Sequence, residues 1–225
     1  MKKKLFLFLL LILVFMFSAF VLKKGNNQPV ISFQEAQNHQ SFELQPGDIL
    51  VRPNWWWLPG SSPVAGGRKY GHVAFVTKGA AGATIEEALK KAVVIEALFF
   101  DQASKRFQFK KENQVRQEKA IVSFGNKFTG IRYRLRADIN PDQLQKMTGF
   151  LENQLDGGYD LLSMKEKNGL DNSPENKDWH CATIVWHAYY HALGIDIDSN
   201  EGIFIYPSDI IASTLFDKKD GRIRF

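Results

Sequence analysis

The chain has 225 residues, of which 44% are hydrophobic and 13% aromatic, enough to bury a core and to exclude global disorder. Its formal charge of +5 does not point to nucleic acid. Five of the 29 basic residues lie in the first 24 positions, no acid precedes Glu35, and the remainder balances at 24 basic against 24 acidic residues. The single cysteine, Cys181, excludes an intramolecular disulfide and leaves the redox compartment open.

Residues 5–22, LFLFLLLILVFMFSAFVL, form an uncharged run of 18, about the minimum for a membrane-spanning helix. Three lysines precede it and two follow, which favours a cytoplasmic N-terminus and places the body on the extracytoplasmic side. A cleaved signal peptide is the competing reading. The long apolar run, the absence of a clear A-x-A site and Lys23-Lys24 immediately after it favour an uncleaved anchor. No cysteine stands directly after the run, so a bacterial lipoprotein is excluded. The expected organisation is an anchor over residues 1–24, a polar linker over 25–40 that includes a solvated His39, and one domain over 41–225.

Along the body, QPGDILVRP (45–53) reads as a turn and a short strand. NWWWLPGSSPVAGGRKY is a Gly/Pro/Ser loop carrying Trp55, Trp56 and Trp57. GHVAFVTK (71–78) is a strand, ATIEEALKK (83–91) a short helix and AVVIEALFF (92–100) a strand. KRFQFKKE, AIVSFG and IRYRLR alternate with period two and read as further strands. NPDQLQKMTGFLENQLDGG reads as a helix capped by Asn140, with Pro141 in its first turn and Gly157-Gly158 at its end. YDLL and a charged loop follow. A helix spans about 181–193 with Gly194 at its stop, and PSDIIASTLF forms a last helix. The body is one α+β domain with an antiparallel sheet packed against helices.

A cysteine nucleophile needs a helix N-terminus or a cation, a base within reach and a group that orients the base. Cys181 stands at the predicted start of an apolar helix, where the dipole and free N–H groups favour the anion. His72 lies inside an apolar strand, on one face with Ala74 and Val76; the plainer reading of such a residue is a satisfied core histidine. Glu96 is the only charged residue in AVVIEALFF. A lone buried carboxylate costs several kcal/mol, roughly, so it needs a partner. An adjacent strand carrying His72 would supply one; the alternatives are solvent at a sheet edge, or a lysine.

The order GDIL, GHVAFV, VIEAL, a later strand with Arg, YDLL, HCATIVWHAY…G and YPSDI resembles the circularly permuted papain-like cysteine hydrolases, the NlpC-type enzymes of the YiiX/YebB kind. The pattern covers roughly residues 45–212. The resemblance implies a permuted papain-like fold with Cys181 as nucleophile, His72 as base and Glu96 as the residue that orients the imidazole. Gly47-Asp48 matches the opening turn and Tyr159-Asp160 a recurrent pair; neither pair is given a chemical role. The family often has Ser-Glu after the cysteine, and here Ala182-Thr183 stand instead. That departure spares the triad and bears on the substrate pocket.

The implied function is hydrolysis of amide bonds in peptides or peptidoglycan stem peptides, with no cofactor and no metal. Lipid ester or N-acyl amide hydrolysis, acyl transfer, and a non-catalytic envelope-binding protein on the same fold are the alternatives. His180, His187 and His191 lie on one stripe, and the last two have i,i+4 spacing. His180 and His187 are two turns apart, about 10 Å along the axis, so all three cannot hold one ion; a solvated or half-buried helical face is the expected role. The three tryptophans fit a cleft wall, the bilayer surface or the core equally. No nucleic-acid partner is expected, and the sequence is silent on oligomeric state.

Overall fold

A computed structural model describes residues 33–36, 41–53, 70–101, 106–107, 114–125, 130–161, 163–165, 178–199 and 202–225. The run 5–22, the three consecutive tryptophans, His39 and residues 166–177 of the charged loop lie outside the described residues. Among those described, no helix is long and apolar enough to cross a membrane.

The elements in chain order are β1 (Gln34–Glu35), β2 (Phe42–Leu44), β3 (Ile49–Pro53), β4 (Tyr70–Lys78), β5 (Ala80–Gly82), α1 (Ile85–Lys91), β6 (Val93–Ala97), β7 (Phe100–Asp101) and β8 (Arg106–Phe107). They continue with β9 (Val115–Lys119), α2 (Ala120–Phe124), β10 (Tyr133–Leu135), α3 (Pro141–Asn153), α4 (Cys181–Leu193), α5 (Pro207–Ile211), a 3-10 turn (Thr214–Phe216) and β11 (Arg222–Arg224). The main sheet has seven strands in the order β1-β11-β10-β3-β4-β6-β9. It is antiparallel except at one edge. There Gln34–Glu35, inside the stretch read as linker, pair in parallel with β11.

Alternation along the central strand β4 separates two cores. Val73 and Phe75 join Ile49, Ile95 and the helices α3 and α4 in one. Ala74 and Val76 join β2, α1 and α2 in the other. Each fully buried Leu, Ile or Phe contributes about 1.5–3 kcal/mol, so both faces of the sheet must be covered.

The helix ends follow local chemistry. In α3 the Asn140 side chain accepts from Gln143 N (2.9 Å) while the Gln143 side chain accepts from Asn140 N (3.0 Å), and Pro141 stands at the first turn. The helix ends at Asn153, before Gly157-Gly158, and the chain turns through Asp156 at φ 64°. Helix α4 runs from Cys181 to Leu193. Gly194 ends it in the left-handed region (φ 66°), its N–H donating to Tyr190 O.

Two sequence expectations are corrected. AIVSFG is not a strand. Val115–Lys119 already fills the sheet edge beside β6, and the chain then turns into α2, which buries Ala120, Ser123 and Phe124 at helical spacing. PSDIIASTLF is not one helix either. It breaks into α5 and the 3-10 turn, and buried Arg222 donates to the carbonyls of Ile211, Ser213 and Phe216 around the break.

Candidate active site

Strands β4 and β6 pair with Phe75 opposite Ile95. That register brings His72 and Glu96 together: His72 Nε2 lies 2.7 Å from Glu96 Oε2, both side chains fully buried. The solvent-edge and lysine alternatives for Glu96 therefore fall. Its other oxygen accepts from Arg116 Nε (3.1 Å) and Nη2 (3.0 Å) on β9 and from Ser123 Oγ (2.7 Å) on α2. Burial alone would push this carboxyl up. The hydrogen bond and charge of His72, with Arg116 and Ser123, reverse that and hold it at about 2. The His72 ring also stacks on Phe124, with centroids 5.6 Å apart.

Cys181 is the first residue of α4, and the helix packs against β4. Its Sγ lies 4.0 Å from the Gly71 carbonyl oxygen, next to His72 in the chain. Burial disfavours the thiolate. The charge of His180 and hydrogen bonds from His180 and His72 outweigh it, and the thiol falls well below its ordinary range. With Nε2 of His72 committed to Glu96, Nδ1 is the nitrogen left for the sulfur. The structure thus brings all three sequence-predicted residues to the start of β4.

Four further side chains converge there without having been assigned a role from the sequence. Arg116 and Ser123 complete the shell of Glu96. Their signal is hidden in the sequence because β9 lacks apolar alternation and the five residues of α2 are too few to show a helical period. Arg52 is buried on β3 directly opposite His72. Burial lowers its guanidinium to about 10, and the charges of Glu96, Cys181 and Tyr159 act in the opposite direction, so it stays cationic at neutral pH. The reasoning that singled out Glu96, one charge in an apolar strand, applies equally to Arg52 in DILVRP. Tyr159 is the fourth. Burial followed by the Cys181 thiolate charge raises its phenol well above the usual range.

The helical histidines separate into different roles. His180 precedes α4 and caps it. His187 is buried between Phe150, Trp179 and Trp186, and burial followed by the charge of His191 lowers it to about 4. His191 stacks on Phe150 at 4.8 Å and is lowered by burial. Thr183, one of the two departures from the family pattern, is fully buried. It donates to the Ser163 carbonyl at 3.2 Å, so it ties the helix start to the preceding loop.

No family model matches the sequence, and no curated protein matches it. Among solved structures, the fold is similar to that of the metalloprotein yiiX from Escherichia coli O157:H7. The TM-score is 0.50 at 15% identity, over 80% of this chain and 96% of that one. The chain therefore has a YiiX-like fold of mixed helices and sheet. That protein is called a metalloprotein; among the described residues of this chain, no three His, Cys, Asp or Glu side chains are arranged to hold an ion.

Proposed function

We propose that this chain is an extracytoplasmic cysteine hydrolase, held to the membrane through residues 5–22, that cleaves amide bonds in peptides or peptidoglycan stem peptides. The observation that carries this reading is a buried Glu96–His72 pair (2.7 Å) facing a cysteine at a helix start whose thiol is held low. A merely structural cysteine has no use for an imidazole oriented by a carboxylate. The YiiX-like fold supports the hydrolase class. The lysines flanking residues 5–22 support the topology.

The chemistry follows from the residues present. The thiolate of Cys181 attacks the carbonyl carbon, and the C=O electron pair moves onto oxygen. The Cys181 N–H at the helix start stabilises that oxyanion. The imidazolium of His72 gives its proton to the leaving amine as the C–N bond breaks. Neutral His72 then takes a proton from water, whose oxygen displaces the thiolate from the acyl group. Glu96 holds the tautomer and stabilises each imidazolium that forms. Arg116 and Ser123 keep Glu96 ionised and fixed, so its role does not depend on bulk pH above the acid range. The same steps act on lipid esters and N-acyl amides, and an amine in place of water gives acyl transfer.

The test is the pH dependence of Cys181 alkylation by iodoacetamide on the full chain in detergent, in wild type and His72→Ala, followed by a screen of stem peptides and N-acyl amides. A reactive thiolate well below pH 7 that weakens in the variant supports the reading. An ordinary thiol profile in both proteins would make Cys181 structural and leave an envelope-binding protein.

A further inference from the structure

His180 occupies a position that normally belongs to Ser, Thr, Asp or Asn. It is the N-cap of α4, with extended backbone (φ −79°, ψ 149°), and its Nδ1 accepts the Ala182 N–H at 3.3 Å. A ring nitrogen that accepts has no hydrogen, so in the neutral ring the hydrogen sits on Nε2. Cys181 Sγ lies 3.9 Å from Nε2 and 4.0 Å from Nδ1, so the sulfur rests against the ring between the two nitrogens, off the line of either N–H. A capping oxygen would satisfy the helix equally well, but it would bring no group that can become a cation beside the sulfur.

The ring is held in place from several elements. Tyr159, in the loop after α3, meets it edge-on at 5.7 Å, and Tyr206, at the start of α5, at 6.4 Å. Asp160 adds its negative charge from the same loop as Tyr159. From the sheet, His72 on β4 and Arg52 on β3 lie within electrostatic reach of Cys181, and Glu96 on β6 holds His72. Unlike His72, His180 is tied to a backbone N–H and not to a carboxylate. It is therefore suited to hold an anion and poorly placed to cycle a proton.

Resting on the hydrolase reading above, we propose that His180 is a second imidazole of the nucleophile: a positioning residue whose neutral ring caps α4 through Nδ1 and whose protonated ring sets its charge against the Cys181 thiolate, while His72 alone carries the proton traffic. The consequence is a division of labour. Loss of His180 raises the thiol but leaves the Glu96–His72 pair intact. Loss of His72 removes the base and only part of the thiolate stabilisation.

The experiment separates capping from thiolate holding. His180→Asn restores a good cap without an imidazole, and His180→Ala removes both. Iodoacetamide alkylation is followed against pH for the full chain in detergent, alongside thermal unfolding. The expected result is that both variants move the alkylation midpoint upward by about one pH unit or more. Only His180→Ala should lose appreciable thermal stability, and His72→Ala/His180→Asn should approach an ordinary thiol, about 8.5. A His180→Asn profile that overlays wild type while His72→Ala shifts overturns this inference and leaves the hydrolase reading standing. If His72→Ala also overlays wild type, both fall together.

Discussion

Two titratable groups are buried close to α4, and they are treated in opposite ways. Glu96 has no exposed surface, and its oxygens are engaged by His72, Arg116 and Ser123, drawn from β4, β9 and α2. His187 is buried to the same degree, yet neither ring nitrogen has a hydrogen-bonding side chain, and Phe150, Trp179 and Trp186 surround it. The polar groups that act on it are His191, whose charge disfavours protonation, and then the Lys165 backbone, which favours it. A charge survives burial only when several elements bring partners to it; otherwise the group stays neutral and serves as packing. Convergence of partners, more than burial, distinguishes the candidate site from a polar residue that fills the core.

Variants and pH can break or sharpen that contrast. The largest effect is expected from Glu96→Leu, which leaves Arg116, Ser123 and His72 facing an apolar group. Urea unfolding should show a loss of about 3–5 kcal/mol. In wild type the Glu96 contribution is complete above its ordinary 4.5 and is lost as pH falls towards about 2, because the unfolded chain takes up the proton first. That window should vanish in the variant. Next comes His187→Phe. The native ring stays neutral down to about 4, while the unfolded one protonates below 6.5. Wild-type stability should therefore fall across that interval by up to about 3 kcal/mol, and the variant should flatten it. An unchanged slope in His187→Phe would mean that the ring has a polar partner after all, and the contrast would be lost.

Ser123→Ala should cost about 2 kcal/mol, the value of a hydrogen bond to a charged group, and should shift the Glu96 acid window upward. A carboxyl titrating as in wild type would show that His72 and Arg116 suffice. The smallest effect is expected from Asn140→Ala, which removes the cap of α3 far from both groups. It should cost about 1 kcal/mol in thermal unfolding and leave both pH windows where they are.

Much of the candidate site was legible in the sequence because each member breaks a local rule. Cys181 is the sole cysteine at a helix start, and Glu96 is a single charge in an apolar strand. His72 is a polar residue on a buried face. Arg52, a charge in an otherwise apolar strand, breaks the same rule. Arg116 and Ser123 could not be found this way. VRQEK carries no apolar alternation because β9 is an edge strand with one half-exposed side. AIVSFG alternates like a strand but is too short for its period to exclude a helical turn. His180 stands directly before the cysteine in the sequence, but its bond to Ala182 N depends on where α4 begins, and that is decided by a cap.

The sequence by itself determined the local events: the capping box at Asn140, the glycine stop at Gly194, the strand alternation of β4 and the helix start at Cys181. Each depends on residues within a few positions of one another, where propensity and hydrogen-bonding chemistry act without knowledge of the rest. Tertiary structure decided what those elements meet. The register of β4 against β6 sets Glu96 on His72, the turn from β9 into α2 brings Ser123 under the same carboxylate, and the seat of α4 on β4 delivers Cys181 to Gly71 and His72. These are contacts between residues far apart in the chain, fixed by covering both faces of one sheet, and no local pattern encodes the pairing.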